Sequence, residues 1–116
     1  MLMKRRPVKS GIERAPKRDF PSHRKWVRGH NCAVPGCDGR PIEAAHVRLG
    51  LPQGEQAGMS QKPHDKWCIS LCAYHHAAQH AIGEATFSKL YTVDMVKTAM
   101  EFATKSPHRH MWEGQP

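Results

Sequence analysis

The stretch Trp67–Gly83, "WCISLCAYHHAAQHAIG", decides how this chain folds. Its opening "WCISLC" carries the apolar content of a short strand. The next ten residues, "AYHHAAQHAI", are rich in alanine, the best helix former, and Gly83 supplies the stop. The pattern predicts a strand that runs straight into a helix. Cys72, His75, His76 and His80 crowd that junction, and such a run can hold one metal, two metals or none.

Working outward, "PIEAAHVRL" (Pro41–Leu49) reads as an earlier strand around Ala44 to Val47. The intervening Gly50–Lys66 lacks periodicity and has four glycines and prolines in its first nine residues, which makes it a loop. Upstream, "CAVPGCDGR" places two cysteines around Pro35-Gly36, a spacing suited to a tight metal-binding knuckle. The fold is expected to begin at "HRKWVR" (His23–Arg28), anchored by Trp26 and Val27. Downstream, Glu84–Lys105 reads as one amphipathic helix with Phe87, Leu90, Tyr91, Met95, Ala99 and Phe102 near one face. Pro107 stops it, and the tail after it gives no clear element. The order is knuckle, strand, loop, strand, short helix, longer helix, with no internal repeat.

A chain of 116 residues makes one small domain, in which a metal staple would not surprise. There is no apolar run long enough to span a membrane. The basic N-terminus has no apolar core region or cleavage site of the secretory kind. A cytoplasmic setting is expected, in which four cysteines are metal ligands or free thiols rather than disulfides. The net charge of +8 is unevenly placed. Residues 1–28 hold ten Lys/Arg against two acidic residues, whereas residues 29–116 hold eight of each. We therefore divide the chain into a basic, disordered arm over 1–22 and a domain over 23–116. Such an arm points to a polyanion, most simply nucleic acid. Arg5, Arg6, Lys17, Arg18, Arg24, Lys25 and Arg28 are the expected DNA contacts.

Cys32 and Cys37 form one ligand pair, and Cys72 and His75 form another, enough to close a tetrahedral zinc site. A four-cysteine set using Cys68 competes with it. In an extended strand, however, Cys68 and Cys72 would lie about 13 Å apart, too far for one ion without a sharp bend. His76 and His80 share one helix face and can chelate a second divalent ion. His75 is offset from His76 by about 100°, so adjacent residues can serve different metals. His46 stands in an apolar strand, where a neutral imidazole can take a proton from water. Asp65 can fix its tautomer or join a metal shell. Arg48 is a candidate phosphate clamp.

The frame Cys…Cys…"AAHVRL"…"KPHDKW"…"LCAYHHAAQH"…"GEATF", over roughly residues 30–90, resembles the HNH nucleases, also called ββα-metal or His-Me finger endonucleases. It looks like their small phage and prophage members of the Ref and YbcO type. The resemblance implies an α+β fold: a small ββα-metal domain with a zinc knuckle, followed by the amphipathic C-terminal helix. It implies a bacterial host cell and a role in phage or prophage DNA recombination or processing. His46 falls where the family has its general base, and His76 and His80 fall where it binds the catalytic cation, Mg²⁺ or Mn²⁺, a site that Zn²⁺ can also fill. Cys32, Cys37, Cys72 and His75 fall on its structural zinc ligands. DNA is the implied substrate, and one relative's habit makes a recombinase filament a candidate partner. Two positions depart from the pattern. Ala45 stands where many relatives have a further metal ligand. Trp67 stands near the asparagine that gives the family its middle letter, with Asp65 the nearest polar substitute. The competing readings are a zinc-stabilised DNA-binding module without chemistry and a protein-interaction module.

Overall fold

The computed structural model describes residues 17–58 and 61–114. Arg5, Arg6 and most of the expected arm lie outside the described residues. The elements run α1 (Pro21–Val27), β1 (Ile42–His46), β2 (Cys68–Cys72), α2 (Ala73–Ile82), α3 (Glu84–Tyr91), α4 (Met95–Lys105) and α5 (His110–Glu113). This is a small α+β domain in which an antiparallel hairpin leads directly into helices. Among the described residues, no helix is long and apolar enough to cross a membrane.

Register sets the two faces of the hairpin. Ala45 pairs with Ile69 and Glu43 with Leu71, so these four share one face. Ala45, Ile69 and Leu71 are fully buried there against Phe87, Val93, Met95 and Ala99 of the later helices and their connection. Ala44 and His46 share the other face with Ser70 and Cys68. That face lies under α1 and the knuckle, where Ser70 Oγ donates to Asn31 O at 2.6 Å and Ala33 N–H donates to Ser70 O at 2.8 Å. With cover on both sides, every residue of β2 is buried, which is why "CISLC" shows no polar alternation.

The helix expected over Glu84–Lys105 is two helices. Thr92 adopts the left-handed conformation (φ 57°, ψ 49°) and ends α3. Asp94 then caps α4, its side chain accepting the Lys97 N–H at 3.1 Å. The left-handed residue costs about 1–2 kcal/mol. The turn it makes buries Val93 to 5% exposure, a gain of about 1.5–3 kcal/mol for such a side chain. Apolar periodicity runs through the break because both helices bury their apolar faces in one core, so periodicity alone could not reveal it.

The fold begins before the expected residue 23, and the tail forms an element that the sequence did not signal. Residues 17–22, assigned to the arm, are part of the fold. Phe20 is buried, stacks on His64 at 5.0 Å and meets Trp112 edge-on at 5.4 Å. Pro21 opens α1 at a first-turn position where a missing N–H costs nothing. The tail forms α5 and buries Trp112 in the same aromatic cluster.

His23 lies in this cluster, fully buried, with Nδ1 2.9 Å from Ser106 Oγ and its ring edge-on to Trp112. Burial drives its pKa down to about 4. The folded protein thus keeps His23 neutral at pH values where the unfolded chain, titrating near 6.5, takes up a proton. Its contribution is complete above pH 6.5 and is lost as pH falls toward 4. His23→Phe removes the titration, so thermal melts from pH 7.5 to 5 should lose less midpoint temperature in the variant than in the wild type.

Candidate functional site

The knuckle begins with a turn. Cys37 N–H donates to Val34 O at 3.1 Å across Pro35-Gly36, and Gly36 takes φ 77°. Proline followed by a residue of positive φ defines a type II turn. The turn brings Cys37 Sγ to 3.9 Å from Cys72 Sγ and 3.5 Å from His75 Nδ1. Cys32 Sγ and Cys72 Sγ lie 3.5 and 3.3 Å from the same nitrogen. Tetrahedral zinc, with bonds of about 2.3 Å to sulfur and 2.0 Å to nitrogen, puts sulfurs about 3.8 Å apart and a sulfur and nitrogen about 3.5 Å apart. These four edges match those of a zinc tetrahedron, all the ligand atoms lie within 4.8 Å of one another, and the cluster is a candidate structural zinc site.

Backbone donors favour the thiolate. Gly39 N–H points at Cys37 Sγ (3.3 Å) and His75 N–H at Cys72 Sγ (3.5 Å). Burial opposes ionisation of Cys72, but the His75 N–H and the neighbouring thiols outweigh it and lower its pKa. Gly39 is also tightly placed, because a Cβ there would sit 3.0 Å from Cys72 Sγ and 3.4 Å from Cys37 Sγ and would press on both sulfurs. Cys68 is not in this cluster. It pairs with His46 at the far end of β2, fully buried, and burial pushes its thiol pKa up. The four-cysteine alternative is therefore not the arrangement formed.

A second group forms around Asp65, which is 3% exposed. Its Oδ1 accepts from His46 Nε2 at 2.7 Å. Its Oδ2 accepts from the Phe20 N–H at 2.6 Å and from the Arg24 guanidinium. Burial alone would raise the carboxyl pKa, but the His46 and Phe20 bonds and the Arg24 charge outweigh it and hold it at about 2. An ionised Asp65 accepts a hydrogen bond from the Nε2–H of His46 and leaves Nδ1 as the imidazole's basic nitrogen. Among the described residues, Cys68 completes a His46–Asp65–Cys68 group, whose ligand atoms lie within 4.8 Å of one another.

On α2, His75 turns to the sulfurs and His76 turns away from them. His76 Nδ1 lies 2.7 Å from Glu43 Oε1, and its Nε2 lies 3.3 Å from His80 Nε2. Gln79, also on α2, donates to the His46 carbonyl at 3.2 Å and so ties the end of β1 to this helix. The side chains of His46 and Glu43 nevertheless leave β1 from opposite faces.

The remaining expected residues divide. The Arg48 guanidinium donates to the carbonyls of Gly58 and Gln61, and the Arg48 backbone N–H donates to the Glu84 carboxylate at 3.1 Å. Arg24 is committed to Asp65 and to Asp19. Arg18 donates to Lys62 O at 2.9 Å, and the Lys17 ammonium lies 5.5 Å from the centre of the Phe20 ring. Lys25 and Arg28 are exposed on or beside α1. Trp67, near the family's asparagine position, is a core residue whose indole N–H donates to Glu55 at 3.0 Å. Sequence reasoning missed Glu43, Gly39 and Gln79. Gly39 was signalled by its place two residues after a ligand cysteine. Glu43 was signalled only by being the one carboxylate on the strand next to a histidine pair.

No protein-family profile matches the chain, and no solved structure matches it. Among curated proteins it is similar to the uncharacterized protein YdfU of Escherichia coli (strain K12), 38% identical over 56 residues. The match takes in 48% of this chain and 14% of that protein's length.

Structural zinc sites contribute about 10–16 kcal/mol to folding, as much as the whole stability of a typical domain. Chelation at neutral pH should therefore abolish the cooperative thermal transition, with zinc restoring it. Gly39→Ala should weaken zinc affinity at least about tenfold in competition with a chromophoric chelator, although it removes no ligand.

Proposed function

We propose that this domain is a metal-dependent endonuclease of the HNH type that hydrolyses DNA phosphodiester bonds. The observation that carries this reading is the His46–Asp65 pair at the end of β1, tied through Gln79 to a helix on which two imidazole nitrogens converge. His46 Nδ1 would accept the proton of a water attacking phosphorus. The new bond joins water oxygen to phosphorus, the bond to the leaving 3′ oxygen breaks, and solvent returns a proton to that oxygen. Asp65, ionised at any working pH, stabilises the imidazolium as it forms and keeps Nδ1 the reactive nitrogen. A Mg²⁺ or Mn²⁺ ion held by His76 and His80 would supply Lewis acidity to the phosphate. The exposed Lys25 and Arg28 beside Arg24 suit the DNA backbone.

Two observations favour the second reading, a zinc-stabilised DNA-binding module without chemistry. Ala45 offers no ligand, and His46 turns toward α1 while His76 turns toward Glu43. Plasmid nicking with Mg²⁺ or Mn²⁺ separates the two. The nuclease reading expects His46→Ala to lower the rate about 10²–10⁴-fold and Asp65→Asn to lower it in the same direction, with zinc content unchanged. DNA binding that weakens steeply with salt, without nicking under either ion, would establish the binding module instead.

A further inference from the structure

Two histidines one turn apart are a poor metal site by themselves. Each neutral imidazole has two tautomers, and the one protonated on Nε2 has no lone pair to offer there. Each ring also rotates about its own bonds unless something holds it. Glu43 removes both freedoms at His76. Strand pairing with Leu71 fixes its backbone, and its carboxylate lies 2.7 Å from His76 Nδ1. Among the described residues the Glu43 carboxylate has no other hydrogen bond or ion pair, so the side chain has no competing task.

We infer that Glu43 is the positioning residue of the His76–His80 metal site. Resting on the nuclease reading's assignment of that pair, the inference adds a residue that takes over part of the organising role left open by Ala45. Glu43 accepts the Nδ1–H of His76, which forces the lone pair onto Nε2 and aims it at His80. The Nε2–Nε2 distance of 3.3 Å fits this. Two nitrogens about 2.0–2.1 Å from one ion, at angles between octahedral and tetrahedral, lie about 2.8–3.4 Å apart. The pair is thus already spaced for an ion. His76 is less than a quarter exposed, while Glu43 is nearly half exposed. The carboxylate therefore holds the ring from the solvent edge and stays out of the ligand position.

The test uses the full chain with its zinc site loaded, and Ni²⁺ as a probe suited to imidazole pairs. Long-range ¹⁵N NMR reads the His76 tautomer without any added ion. Calorimetry reads the Ni²⁺ binding event that His80→Ala removes. Wild type is expected to carry its His76 proton on Nδ1. Glu43→Ala should mix the tautomers and weaken Ni²⁺ binding about 10–100-fold, the usual effect of removing a carboxylate behind a ligand histidine. Glu43→Gln, whose amide oxygen still accepts the Nδ1–H, should keep the tautomer and stay within about threefold of wild type. One zinc per chain in each variant establishes that the fold is intact. The inference is overturned by any of four results: a wild-type His76 protonated on Nε2, no His80-dependent Ni²⁺ binding, a Glu43→Ala variant that binds like wild type, or a Glu43→Gln variant that falls as far as Glu43→Ala. A wild type that binds Ni²⁺ as expected yet nicks no DNA overturns the nuclease reading and leaves the role of Glu43 standing.

Discussion

Cys72 is the residue on which the rest of the structure depends. It is the last residue of β2, the N-cap of α2 and a member of the sulfur–nitrogen cluster at once. A strand running into a helix with no loop between them has little freedom at the joint. Here the one residue in that joint is also held from outside by the knuckle, 35 positions earlier in the chain at Cys37. Local and long-range constraints therefore meet in a single side chain. Fixing it fixes the start of α2, and with it the angular positions of His75, His76, Gln79 and His80. The cluster thus aims the histidine-bearing helix as well as stabilising the fold.

The hairpin divides the chemistry between its two faces. On the α1 face, Asp65 is buried but charged, because two donors and the Arg24 guanidinium compensate for its lost hydration. On the other face, His76 and His80 meet at the rim of α2, where solvent still reaches them. Among the described residues, Gln79 bridges the two by donating to the His46 carbonyl. A carboxylate as depressed as Asp65 stores its interaction energy in a network of fixed geometry. The same network makes Arg24 a residue of the fold, although its position in a basic run suggests a surface charge.

Much of this was legible in the chain. The junction at Cys72 and the end of α2 at Gly83 follow from short-range rules about strands and caps, and the Cys32–Cys37–Cys72–His75 set follows from the spacing within two short ligand pairs. The pairing of Asp65 with His46 was also within reach, because polar residues in an apolar strand seek partners. Three features were not legible, each for its own reason. The break at Thr92 is invisible to periodicity when both halves face one core. The inclusion of Phe20 and Trp112 depends on a meeting of chain ends that no local pattern records. The turn of His46 toward α1 follows from strand parity only once the register with Cys68 is known. Glu43 shares that last difficulty: its partner lies on another element, and nothing in "PIEAAHV" says which helix residue will face it.

The hydrogen bond from the Phe20 N–H to Asp65 also fixes a point of attachment. Phe20 immediately precedes α1, so that helix is seated on the same carboxylate that holds His46. A displacement of α1 would therefore be transmitted through one shared carboxylate to the imidazole on β1.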